Sequence, residues 1–183
     1  MKELSLNILD IAQNSISANA KLVEISVEKE SAKDLLTLTI KDDGKGMSPE
    51  FVKNVCDPFT TTRTTRKVGM GIPLLKLASE QAEGQFAIQS EIGVGTVVTA
   101  TFKLGHIDRV PLGDVAQTIS SLVSCNEQID FLYRHTADGE SFLFDTKQIR
   151  EVLDGVPFNT PEVVLWMQEY INDGILSING GVD

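Results

Sequence analysis

The sequence predicts an α+β fold: a two-layer α/β sandwich with helices on one face of a mixed β-sheet, followed by a small C-terminal α+β module. Three observations carry this prediction. A 3.6-residue pattern with one apolar and one polar side runs over residues 3–18. Strict apolar alternation appears at Val23, Ile25 and Val27, and again at Leu36, Leu38 and Ile40. The charge balance then breaks near Gly105: residues 1–104 hold 12 Lys and Arg against 13 Asp and Glu, while residues 105–183 hold 4 against 13. A chain of 183 residues can be one domain or two small ones, and the break favours units at 1–106 and 107–183.

In the helix over 3–18, Leu4, Ile8, Ile11 and Ala12 share one side. Glu3, Asn7, Asp10, Asn14 and Ser17 make a narrow polar stripe on the other. The two alternating runs are separated by a polar segment and read as a hairpin. Ser48-Pro49 is an N-cap followed by a first-turn proline, so a short helix covers 50–56. A longer helix spans 71–82 and ends near Gly84. Phe86-Ala-Ile88 and Val97 to Phe102 supply two further strands, giving a four-stranded mixed sheet under the helices. In the second half, Val115, Ile119, Leu122 and Val123 form a helical stripe. Segments 129–135 and 140–144 flank Asp138-Gly139, a strong hairpin signal. A short helix around Ile149 to Leu153 stops at Gly155, and Thr160-Pro161 opens a last helix running to about Asn172.

Composition narrows the function. The acidic second half would repel phosphate, which argues against nucleic-acid binding there. Two cysteines, Cys56 and Cys125, are too few for a disulfide framework or a zinc site. No uninterrupted apolar run suggests a leader or a membrane span, so a cytoplasmic protein without a membrane segment is expected.

Four short segments carry the chemistry: Asp10-Ile-Ala-Gln-Asn14, Asp42-Asp-Gly44-Lys-Gly46-Met47, Gly69-Met70-Gly71 and Gly93-Val-Gly95-Thr96. In this order, within ninety residues, they resemble the N, G1, G2 and G3 boxes of the histidine-kinase-like (GHKL) ATPases, a superfamily that includes histidine kinases, DNA gyrase and MutL. The run from Asp57 to Arg63 resembles the F box and lid of the kinase branch. The resemblance covers about residues 1–104 and is silent on the rest.

The resemblance implies an ATP/ADP site with Mg²⁺. Asp42 would accept a hydrogen bond from the adenine amino group, and guanine, with a carbonyl there, would leave buried groups unpaired. Gly44 and Gly46 allow the tight turn beside it, with Met47 next in the loop. Thr96 would support Asp42 or the base edge. Asn14 would ligate Mg²⁺, which prefers oxygen ligands and completes its shell with phosphates and water. Asp10 stands where hydrolytic branches carry glutamate. It would be the general base or, one methylene shorter, would act on the metal's waters. Gly69, Met70 and Gly71 open a helix whose N-terminal amides suit phosphate. Thr62 and Arg63 belong to a hydroxyl-rich basic loop that can close over phosphates, or be a solvated loop, or both in turn as nucleotide binds. Ser17 stands where many kinases place a lysine. The helix carrying Asp10 begins at residue 3, and neither His106 nor His135 sits in a phosphoacceptor context, so autophosphorylation on histidine is not expected within this chain.

The expected function is a signalling or regulatory protein that binds Mg·ATP. A protein kinase acting in trans, like the serine kinases that inhibit sigma factors, and a slow ATPase driving a conformational cycle are the alternatives. The acidic second half is expected to recognise a protein partner.

Overall fold

The computed structural model describes residues 3–57 and 70–178. Helix α1 (Leu4–Ser17) buries Leu4, Ile8, Ile11 and Ala12, the apolar side of the periodic pattern. Strands β1 (Leu22–Glu30) and β2 (Leu35–Asp42) form the expected hairpin, joined by one 3₁₀ turn. Helix α2 (Pro49–Val55) starts as its sequence dictates, with Ser48 Oγ accepting from the Phe51 N–H at 3.1 Å. Helix α3 (Gly71–Gln81) leads into β3 (Phe86–Glu91) and β4 (Gly95–Lys103). The second half supplies α4 (Val115–Cys125), β5 (Asp130–Ala137), β6 (Glu140–Asp145), α5 (Thr146–Leu153) and α6 (Pro161–Ser177).

Two expectations are corrected. Strands β1 to β4 pair only in antiparallel fashion, so the four-strand sheet is not itself mixed. The sheet has six strands in the order β3-β4-β2-β1-β5-β6, and its parallel pair is β1 with β5, from Leu22↔Asp130 to Lys29↔Ala137. Alternation marks a strand but not its long-range partner; here β1 needs a second neighbour because its outer backbone groups would otherwise go unpaired. The last helix also runs five residues past Asn172 to Ser177, through Gly174. A Cβ at Gly174 would fall 2.2 Å from the Phe142 ring, so this glycine permits close packing of α6 on β6 and does not end the helix.

Helices α3, α1, α4 and α6 lie side by side on one face of the sheet, over β3/β4, β1/β2, β5 and β6 in turn. The other face carries Ser26, Thr37, Thr39, Thr99, Thr101 and Thr136, all half-buried, which is the alternation of a one-sided sheet. One apolar cluster runs under the whole helical layer, from Leu36, Leu75 and Phe102 to Phe144, Met167 and Ile171. The charge break near Gly105 therefore separates surfaces, while the sheet and core pass through both halves.

The second half also caps α1. Glu3, at the N-cap position, caps no helix N–H with its side chain, which accepts from Ser5 Oγ at 3.1 Å; the Leu4 and Ser5 N–H groups donate instead to the carbonyls of Pro111 (2.8 Å) and Leu112 (2.9 Å). Open helix-start amides are thus satisfied from a segment a hundred residues away. A fragment of residues 1–106 loses these caps, the β5 partner of β1 and the α4 flank of α1. We expect it to lack a cooperative melting transition by circular dichroism. An unchanged melting temperature would show that the second half adds nothing to the core.

Candidate functional site

Helix α1 places its last two turns beside the end of β2, where a cavity of about 360 Å³ opens that Thr96 and Val98 of β4 also line. Ile11, Ile40, Val55, Ile72 and Val98 give it apolar walls, and Asn14, Ser15, Asp42, Lys45 and Thr96 face it with polar groups. Size and lining suit a small organic ligand held by a few placed polar atoms.

Asp42 is the most constrained of these groups. Ser15 Oγ donates to its Oδ2 at 2.6 Å and the Gly44 N–H donates to its Oδ1 at 2.8 Å. Ser15 also reaches the Ile11 carbonyl at 3.3 Å. Both carboxylate oxygens are thus oriented by donors from two elements, with lone pairs remaining for a ligand. The loop after Asp42 is tied down in turn, because Lys45 N–H donates to Ala18 O at 2.9 Å and Gly93 N–H donates to Lys45 O at 2.8 Å. Met47 N–H donates to Ser90 Oγ at 2.8 Å.

The glycines hold the walls together by lacking side chains. Gly46 has φ +72°, and a Cβ there would lie 2.0 Å from the Glu91 carbonyl oxygen. Gly95 has φ +142°, and its Cβ would lie 2.0 Å from the Asp42 carbonyl oxygen. Both contacts are with backbone, which cannot swing away.

Thr96 is the direct cross-strand partner of Asp42. Its hydroxyl bonds Ser90 Oγ at 2.8 Å, on the side away from the carboxylate. Asn14 lines the cavity, and its buried Nδ2 has no hydrogen-bond partner among the described residues. A half-turn of that amide would exchange the unpaired donor for a carbonyl oxygen, the kind of ligand that Mg²⁺ takes. Among the described residues, no cluster of three or more His, Cys, Asp or Glu is placed to hold a metal ion. A cation here would draw its remaining ligands from a bound phosphate and water.

Asp10 lies one turn before Asn14, outside the cavity lining and against the start of α3. A Cβ at Gly71 would meet Asp10 Cβ at 2.8 Å, so α1 and α3 approach closely where this carboxylate stands. Burial raises the Asp10 pKa above the ordinary carboxylate value. Met70 takes the N-cap position of α3 and is exposed, offering no side-chain cap. Thr62, Arg63 and Gly69 lie outside the described residues, as does the rest of the basic loop.

The structure thus gathers Asn14, Asp42, Gly46, Met47 and Thr96 around one cavity, with Gly44 behind Asp42 and Asp10 beside Gly71. Sequence reasoning missed Ser15, Ser90 and Lys45. Ser15 follows Asn14 directly, but nothing in the sequence announces that a helix serine meets a strand aspartate 27 residues away. Lys45 brings a cation to the rim that Ser17, also on the lining, does not supply.

This helix-on-sheet fold and the cavity between α1 and the G1-type loop define a class of ATPase-like domain. The chain belongs to the family described as histidine kinase-, DNA gyrase B- and HSP90-like ATPase, which it matches over residues 1–106. The sensor histidine kinase ZraS of Salmonella typhimurium is 33% identical over 93 residues, covering 50% of this chain and 20% of that protein. Sensor histidine kinase YvrG of Bacillus subtilis is 31% identical over 94 residues, covering 49% and 16%. The chain spans a fifth or less of the length of these curated relatives.

Among solved structures, the Aquifex aeolicus MutL ATPase domain complexed with ADP aligns with a TM-score of 0.53 at 16% identity, covering 84% of this chain and 70% of that one. The N-terminal domain of a DNA repair protein aligns at 0.57 and 15% identity, covering 98% and 57%. Both superpositions take in more of the chain than residues 1–106, so the likeness of fold reaches into the second half.

The contact between β4 and β2 at the site can be tested directly. Gly95→Ala drives a Cβ into the Asp42 carbonyl, and we expect a stability loss of about 2 kcal/mol or more by urea denaturation. A change below about 0.5 kcal/mol would mean that the strands part there without strain.

Proposed function

We propose that this chain binds Mg·ATP in the cavity beneath α1 and acts as a nucleotide-responsive signalling module whose acidic half engages a protein. One observation carries the proposal: the Asp42 carboxylate is fixed by Ser15 and Gly44 at the wall of a cavity that Asn14 also lines. A fixed acceptor in an apolar cavity selects a ligand that brings an amino donor, as adenine does, over one that brings a carbonyl. Lys45 on the rim and the start of α3 supply positive potential on the side where phosphates would emerge. Magnesium, when present, would neutralise phosphate charge. Asn14, whose buried amide nitrogen has no hydrogen-bond partner among the described residues, would hold it.

Isothermal titration tests the base reader. We expect ATP and ADP to bind with clear preference over GTP, and Asp42→Asn to weaken ATP by about 1–3 kcal/mol. Equal affinity for GTP in the unaltered protein would remove Asp42 from this role. The metal role separates by a different measurement. Asn14→Ala should weaken ATP binding in Mg²⁺ and leave binding in chelator nearly unchanged, and an equal loss in both conditions would make Asn14 structural.

A second reading, phosphoryl transfer to a protein or slow hydrolysis, is favoured by the position of Asp10 at the Gly71 contact. A carboxylate at that point can take a proton from an attacking hydroxyl or water. Asp10→Asn keeps the volume and removes the base. Label from γ-labelled ATP should cease to appear as phosphate or phosphoprotein in this variant, while binding persists. Undiminished label release would assign Asp10 a structural part at the α1–α3 contact.

A further inference from the structure

The outer face of α6 is organised in a way that neither the core nor the nucleotide site uses. Helical geometry sorts its exposed residues into three parallel strips. Glu162, Glu169 and Asp173 form a central acidic strip, exposed and without an ion-pair partner among the described residues. Leu165 and Leu176 lie on one side of it, 60% and 70% exposed. Trp166 and Tyr170 lie on the other, toward β6. No Lys, Arg or His occurs on α6, so the Glu169–Asp173 repulsion at i, i+4 is not relieved within the helix.

The aromatic strip is held in place. Trp166 stacks on Tyr170 with centroids 5.2 Å apart and planes 21° apart. Tyr170 in turn meets Phe142 at 5.5 Å and the buried Phe144 at 6.3 Å. Phe142 can take its place because Gly174 leaves room for its ring. A chain of aromatic contacts thus runs from the core to the surface and braces the exposed indole against Tyr170. Pre-ordered Trp and Tyr at a surface are the usual energetic anchors of protein recognition, because little side-chain entropy remains to be lost.

We propose that the outer face of α6 is a docking surface for a cationic amphipathic helix of another protein. Its leucines and aromatics would cover the apolar strips, and its Lys or Arg would meet the acidic strip. The face runs the length of a 17-residue helix, about 25 Å, enough for several turns of a partner helix. A second copy of this chain is the poorer fit, since it would bring a net charge of −10 and the same acidic strip against itself. The inference sharpens the reading that the second half recognises a protein. It takes nothing from the nucleotide site, so its failure leaves ATP binding standing.

Trp166 is the only tryptophan in the chain and reports directly on this face. The full-length protein is titrated with a synthetic amphipathic leucine–lysine helix, its leucine–glutamate counterpart, and a serine–lysine peptide of equal charge. We expect a blue shift of Trp166 emission with the leucine–lysine peptide alone, weakening as salt is raised. The double variant Glu169→Lys/Asp173→Lys, which touches no core residue, should bind about tenfold or more weakly. Glu28→Lys, on the open face of the sheet, should bind as the parent does. No shift, an equal shift with the acidic or serine-containing peptide, or undiminished binding by the double variant would overturn the proposal. Sedimentation showing self-association that shifts Trp166 without peptide would assign the face to a second copy instead.

Discussion

The hydrogen bond from Ser15 to Asp42 is the constraint around which the molecule is arranged. It joins an inner helix of the layer to the end of a central strand. It exists only if α1 lies across β1 and β2 at the correct depth, and several packing decisions serve that end. Ile8, Ile11 and Ala12 seat the helix on the sheet, Gly71 lets α3 close against it at Asp10, and Pro111 and Leu112 cap its first turn. A serine hydroxyl and a carboxylate 2.6 Å apart in a partly buried place form a strong, charge-assisted bond. Its loss would leave the carboxylate both less well held and less well aimed.

The second half belongs to that arrangement more closely than its charge suggests. Strand β5 completes the pairing of β1, Asp138 accepts two hydrogen bonds from Ser31 at 2.7 and 2.8 Å, and α4 flanks α1 opposite α3. The acidity lies on the surface, where it costs the core nothing. One half can therefore share a core with the nucleotide-type cavity and still present a surface of different character. Packing of α1 on α4 and of α4 on α6 makes the helical layer continuous from the cavity to the acidic face.

Much of this was legible in the chain. The helix and strand periods located α1, β1 and β2, because each buries one face against a single core and so must repeat at 3.6 or 2 residues. Ser48-Pro49 and Asp138-Gly139 marked their helix start and hairpin through local chemistry alone. The glycines at 44, 46 and 95 were legible as positions of close approach, because a Cβ at each would meet neighbouring backbone. Not legible were Ser15 and Ser90, whose parts are played across the fold, and the end of α6, where Gly174 resembles a stop signal but serves the Phe142 ring.

The sequence by itself determined the local elements, the order of the boxes and the uneven charge of the two halves. These depend on residues close together in the chain or on simple counts. Tertiary structure alone decided that β5 lies parallel to β1, that one sheet and one core span both halves, and that Asp42 is gripped from α1. Pairing and packing of distant segments depend on which surfaces cover one another's unpaired groups, and that is a property of the folded chain as a whole.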